Sequence, residues 1–301
     1  MVSLYMANAT AKEKSKDSRA GTRKAAAIIY SHRMNHMDSP TGDDTLLTGD
    51  DPAPFKVVNR DGACQMLLVC DHASRAVPIK LGRLGLGDDV FERHIAYDIG
   101  AAEVSRRLSA DLDAQLVLAG FSRLVIDVNR PIGHPDSIVE EIDATPIPGN
   151  TDLDEAAKRP RIRELFEPYH DAVNRALARM WESGTAPALF SVHSFSPGYG
   201  DTPRPWDIGV LWNRDPRIAV PLMEKLEGLG LKVGDNEPYS GQHLAYTIDM
   251  HGGSAGLANC VVEINQDQVR DAEGIERWAG ILTDAMLEIL TISGLHRVER
   301  F

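Results

Sequence analysis

The chain has 301 residues, 43% of them hydrophobic, enough to bury a full core in one large domain or two small ones. Its formal net charge of −12 speaks against a nucleic-acid scaffold and for a soluble protein, although clustered arginines can still attract a small anion. Three cysteines (Cys64, Cys70 and Cys260) with no C-x-x-C pair exclude a disulfide framework and a zinc knuckle.

Residues 1–50 differ from the rest. Up to Met37 they hold seven Lys/Arg against two acids, with no sustained apolar period, and Asp38 to Asp51 is rich in Asp, Gly, Pro and Thr. Such a stretch is expected to be a disordered arm. Its start lacks a leader pattern, and no segment approaches the roughly 18 apolar residues of a membrane span, so no membrane partner and a cytoplasmic location are expected.

A single domain is expected from Phe55 to Phe301. Gln65 to Cys70 is a short continuous apolar run, the signature of a buried strand. Asp89 to Leu112 has helical spacing through Val90, Ile95, Ile99, Ala102 and Leu108. Gln115 to Phe121 and Leu124 to Val128 read as strands or strand ends. Leu153 to Trp181 reads as helix, split or kinked by Pro160 and Pro168. Ala188 to Val192 and Ile208 to Trp212 are strand-like, Arg217 to Leu229 is a helix closed by glycines, Asn259 to Ile264 is a strand, and Glu273 to Leu290 is an amphipathic helix. Strands alternating with helices predict an α/β protein: a three-layer α/β/α sandwich around a mixed, largely parallel sheet.

Ligands in such folds gather beyond the carboxyl ends of the strands. Four apolar runs end informatively: in Asp71-His72, in Ser122-Arg123 followed by Asp127 to Pro131, in His193-Ser194, and at Glu263 with Asn265-Gln266-Asp267 behind it. Two imidazoles and a carboxylate can hold Zn²⁺ with a position open for water. For the carboxylate, Asp98 shares a helical i,i+4 spacing with His94, which could support it, while Asp71 could ligate or orient an imidazole. Glu263, inside a buried strand, is costly unless paired or near a cation, and is expected to be the general base. Arg130 with Asn129 suits a substrate carboxylate, and Arg123 suits a developing oxyanion. Ser194 and Tyr246 are taken as further substrate contacts, with the Gly-rich stretch from Gln242 to Gly256 read as a mobile cover.

Taken in order, CDHAS with Pro78, HIAYDIG from His94 to Gly100, SRLVIDVNRP from Ser122 to Pro131, HSF from His193, and EINQ from Glu263 resemble the N-formylglutamate amidohydrolase family over residues 60–290. The resemblance implies an α/β/α hydrolase related to zinc carboxypeptidases. It places Asn129 and Arg130 on the substrate carboxylate, Arg123 by the oxyanion, and Glu263 as catalytic glutamate. It departs where Arg75 stands at the position of the carboxypeptidase glutamate ligand, which brings Asp98 forward. The expected protein is therefore a Zn²⁺-dependent amidohydrolase, with His72, His193 and Asp98 as ligands. Its small-molecule anionic substrate is an N-acyl acidic amino acid, N-formyl-L-glutamate being closest. A carboxypeptidase or deacylase acting on small peptides and a non-catalytic anion-binding protein are the alternatives. The sequence is silent on oligomeric state.

Overall fold

The computed structural model describes residues 45–200 and 202–301. Most of the expected arm lies outside the described residues. Its last residues pack on the body: the backbone N–H groups of Leu46 and Leu47 donate to the Glu164 carboxylate at 2.9–3.0 Å, and the Leu46 side chain is buried.

Seven strands form one sheet: β1 (Phe55–Val58), β2 (Met66–Cys70), β3 (Leu116–Ala119), β4 (Ala188–Phe195), β5 (Ile208–Leu211), β6 (Val233–Asp235) and β7 (Asn259–Asn265), ordered β1-β3-β2-β4-β7-β5-β6. The central four, β3, β2, β4 and β7, run parallel. β1 pairs antiparallel with β3, and β5 antiparallel with β7, which makes the sheet mixed.

Every residue of β2, β3, β4 and β7 is buried. The two faces meet different helices. Met66, Leu68, Phe190, Val192 and Val262 pack with Leu108 of α1 (Ala101–Asp111), with Leu222 of α4 (Pro216–Gly228), and with Trp278 and Leu282 of the closing helix α7 (Ala272–Ile289). Leu67, Val69, Leu189 and Val261 pack instead with Tyr169, Val173 and Leu177 of the helix at Glu167–Trp181. Burial on both faces is what a continuous apolar run demands, each large aliphatic contributing roughly 1.5–3 kcal/mol. Strand alternation puts Ser191 and His193 on the face of Leu189, and Glu263 on the face of Val261.

Three local expectations are corrected, and the helical run at 153–181 is split as its prolines suggest. The segment 88–100 is a 3₁₀ turn (Asp88–Glu92) followed by irregular turns, and α1 begins only at Ala101, so His94 and Asp98 do not share a helix face. Leu124 to Val128 is buried but turns instead of pairing. The run at 153–181 comprises α2 (Glu155–Arg161), a π-helical turn at Ile162–Phe166, and α3 (Glu167–Trp181). Pro168 cannot donate to the carbonyl four residues back, and the ladder widens just ahead of it. The Gly-rich stretch is not an open loop. It holds the short helices α5 (Gly241–Leu244) and α6 (Tyr246–His251), and Thr247 of α6 is fully buried.

Candidate active site

The carboxyl ends of β2, β4 and β7 lie side by side, so residues far apart in sequence share one rim. Asp71 and His72 follow β2, His193 lies in β4, and Glu263 of β7 stands opposite His193 in the parallel register. Asp98 comes from the turn before α1, where its backbone N–H donates to the His72 carbonyl at 3.0 Å. That turn closes through Gly100 at φ 77°, where a Cβ would fall 2.4 Å from the Val269 carbonyl oxygen; only glycine fits.

Two carboxylates set the orientation of both imidazoles. His72 Nε2 lies 2.8 Å from Asp127 Oδ1, and His193 Nε2 lies 3.0 Å from Asp71 Oδ2. A carboxylate only accepts, so with a cation bound beside Asp98 each Nε2 would carry the proton toward Asp127 or Asp71 and each Nδ1 would be left with a lone pair. Both Nδ1 atoms then face the same oxygen, Asp98 Oδ2, at 3.2 Å from His72 and 2.7 Å from His193. Arg123 Nη1, a donor, lies 3.4 Å from His72 Nδ1, as that tautomer requires.

Three acceptors thus converge with no proton assigned between them, in a place where all three residues are at most 4% exposed. Such a triangle needs positive charge at its centre, which a metal cation can supply. Without one, a proton serves: burial disfavours the charged form of His193, but hydrogen bonds to Asp71 and Asp98 outweigh it and hold its pKa well above the ordinary range. The three ligand atoms lie within 4.8 Å of one another, and this is the one such group among the described residues. Tetrahedral zinc with bonds of about 2.0–2.1 Å separates its ligand atoms by roughly 3.3 Å, so the donor set fits a divalent metal in chemistry and in scale.

Asp71 is an anchor. Its Oδ1 accepts from the Tyr169 hydroxyl and from Thr247 Oγ1, each at 2.8 Å, and its Oδ2 accepts from Ser191 Oγ at 3.3 Å as well as from His193. Burial alone would raise its pKa, but these donors bring it down to about 2. Asp127 is held by Arg123 Nη2 at 2.7 Å and by the Asn129 backbone N–H at 2.8 Å. The segment that carries it rests on Arg161, 2% exposed, whose Nη1 donates to the Val125 carbonyl and to Asn150 Oδ1 at 2.9 and 2.6 Å.

Glu263, 9% exposed, lines the same cleft of about 320 Å³ as His72, Asp98, Arg123, Asn129, Arg130, His193 and Ser194. Burial drives its pKa up to about 7, with Asp98 adding to the rise while the nearby imidazoles and Arg123 oppose it. A carboxyl poised there can accept and return a proton near neutral pH.

The structure brings eight of the nine sequence-selected residues to one cleft and leaves one out. Tyr246 does not line it; its ring lies 6.2 Å from that of Phe166 and 5.6 Å from that of His170. Ser194 lines it, but its Oγ donates to the Ile99 carbonyl at 2.7 Å. Asn129 receives the Thr247 N–H at 3.0 Å and donates to the Leu244 carbonyl at 3.3 Å, so its amide also fastens α5 and α6. His94 pairs with Asp143 at 2.8 Å instead of supporting Asp98, and Arg75 pairs with Glu92. Sequence reading assigned no role to Asp127, Tyr169, Thr247, Arg204 or Tyr239. For Asp127 a signal existed, since Arg123 and Asp127 are four apart with complementary charge.

A mixed α/β/α sandwich that gathers two imidazoles, an aspartate and a neutral-range glutamate at its strand ends is the framework of an amide hydrolase. The chain belongs to the N-formylglutamate amidohydrolase family, whose model matches residues 64–270. A gene product from Agrobacterium tumefaciens of known structure is 36% identical, with a TM-score of 0.78, over 82% of this chain and 98% of that one. The N-formylglutamate amidohydrolase from Ralstonia eutropha JMP134 shares the fold, with a TM-score of 0.59 and 20% identity over 79% of this chain and 98% of that one. No curated protein matches the sequence. The protein is therefore a hydrolase acting on an amide bond. No helix among the described residues is long and apolar enough to cross a membrane.

Proposed function

We propose that the protein is a metal-dependent deformylase of N-formyl-L-glutamate, releasing formate and glutamate. The observation that carries the metal dependence is the triangle of His72 Nδ1, His193 Nδ1 and Asp98 Oδ2, whose outward nitrogens are fixed by Asp127 and Asp71. Bound there, a divalent cation such as Zn²⁺ would polarise the formyl carbonyl and lower the pKa of a water.

The chain's own residues do the rest. Glu263 takes a proton from the attacking water and returns it to the leaving amine nitrogen, a shuttle suited to a carboxyl near 7. Arg123, oriented by Asp127 at 2.7 Å, faces the cleft and meets charge developing on the formyl oxygen. Arg130 binds a substrate carboxylate: it lines the cleft, and its Nη1 donates to the Asn129 carbonyl at 2.9 Å, which fixes the guanidinium fork. Asn129 shapes the wall beside it.

The test is metal analysis of purified protein, followed by a panel of N-formyl and N-acetyl amino acids with and without chelator. Stoichiometric metal and chelator-sensitive release of formate from N-formyl-L-glutamate are expected. Full activity of protein freed of metal refutes the metal role; turnover of peptides without turnover of formyl amino acids refutes the substrate.

A further inference from the structure

The cleft holds a third guanidinium, and its position is unusual. Arg204 returns to the rim through the short hairpin that follows β4, where Gly198 and Tyr199 pair with Pro203 and Thr202, and its backbone N–H donates to the Pro197 carbonyl at 2.9 Å. This brings a residue nine positions past the end of the strand that carries His193 back beside that end. Arg204 Nη1 donates to Ser196 Oγ at 3.0 Å and lies 3.3 Å from the Ser196 carbonyl, and its Cζ stands 4.8 Å from the centroid of the Tyr239 ring. Arg204, Ser196 and Tyr239 all line the cleft with Glu263.

Several charged side chains line the cleft. Arg123 is bound to Asp127, Asp143 to His94, and Asp98 to the two imidazoles. Arg130 and Arg204 line the same cleft, Arg130 held by the Asn129 carbonyl and Arg204 by Ser196 and the Tyr239 ring. Arg130 donates to a backbone carbonyl, and its Nε is buried with no hydrogen-bond partner among the described residues. Arg204 is stiffened by a hydroxyl and an aromatic face, which fixes the plane of a five-donor fork in advance. Two pre-oriented guanidiniums in one pocket suit a ligand with two carboxylates, and each fork matches one.

We propose that Arg204 is a specificity-determining residue that receives the second carboxylate of a dianionic acyl amino acid, while Arg130 receives the first. This rests on the deformylase reading and adds the residue that would separate glutamate from glutamine derivatives. The isosteric pair isolates it: N-formyl-L-glutamine keeps the size of N-formyl-L-glutamate and removes one charge.

The experiment measures kcat/KM for both compounds with the wild-type holoenzyme and with Arg204→Gln and Arg204→Lys. Wild type should prefer the glutamate compound, and Arg204→Gln should lower that preference by roughly 10- to 100-fold, the range for losing a charge-assisted hydrogen bond. Arg204→Lys should restore part of it, keeping charge without the fork. A preference ratio within twofold of wild type in Arg204→Gln overturns the proposal, and the ratio cancels any general damage to the fold. Should wild type turn over neither compound, the deformylase reading fails and Arg204 is judged by calorimetry with glutarate and butyrate. Glutarate binding that Arg204→Gln weakens at least tenfold relative to butyrate upholds the dicarboxylate site; equal weakening, or none, refutes it.

Discussion

Replacing Asp71 by Asn tests whether the carboxylates behind the imidazoles create the metal site. The substitution is nearly isosteric, so packing against Tyr169 and Thr247 survives, and their hydroxyls can still donate to the remaining amide oxygen. The other position changes sign. Where Oδ2 accepts from His193 Nε2 at 3.0 Å, an NH₂ group would face an N–H. With the amide oxygen kept by the two hydroxyls, His193 relieves this by moving its proton to Nδ1, the atom that faces Asp98 Oδ2 at 2.7 Å, and a protonated Nδ1 cannot ligate. Losing one charge-assisted hydrogen bond costs about 1.5–3 kcal/mol. Removing an outer-shell carboxylate typically weakens metal binding about 10–100-fold, roughly 1.4–2.7 kcal/mol, so two independent routes give the same size. The assay is a competition titration of Zn²⁺ against a chromophoric chelator at pH 7, with circular dichroism to confirm the fold. An affinity within twofold of wild type in folded Asp71→Asn would sink the tautomer argument.

Three further outcomes follow from the same geometry. Glu263→Gln should keep its metal and lose about 10²–10⁴-fold in turnover, the usual worth of a positioned base; near-normal kcat would remove Glu263 from that role. His170 is buried, and desolvation lowers its pKa from 6.5 to about 4. Because the folded value lies below the unfolded one, its contribution to stability is full above pH 6.5 and is lost as pH falls toward 4, by about 3 kcal/mol in total. Urea midpoints measured across that window should fall with acidification in the wild type and fall less in His170→Asn; parallel curves would show that His170 is not the group responsible. Arg161→Met removes donors from the carbonyls of Val125 and Gly149 and from Asn150, and should destabilise by roughly 3–5 kcal/mol. A thermal midpoint lowered by less than about 3 °C would mean that the segment carrying Asp127 does not depend on this guanidinium.

What the sequence could determine was what chemistry makes local. Apolar runs such as Met66 to Cys70 and Ala188 to Val192 must be buried strands, because nothing else hides every side chain of so short a segment. A histidine or glutamate at the end of such a run stands out against its apolar neighbours, which is why His72, His193 and Glu263 were visible one by one. Periodicity also misled. The spacing across Asp89 to Leu112 is satisfied by 3₁₀ and irregular turns as far as Gly100, and buried Leu124 to Val128 makes no ladder. Burial leaves the same mark whether backbone groups pair with a strand or, as here, with Asn150 and Arg161.

Only the tertiary structure decided which of these residues meet. The parallel register that sets Glu263 against His193 and the turn that brings Asp98 between two imidazoles depend on contacts between segments dozens of residues apart. The orientation of each imidazole was decided there as well. Which nitrogen of an imidazole is free is fixed by whatever lies behind the ring, and for His72 and His193 that is Asp127 and Asp71, placed by the sheet and by the loops packed on it.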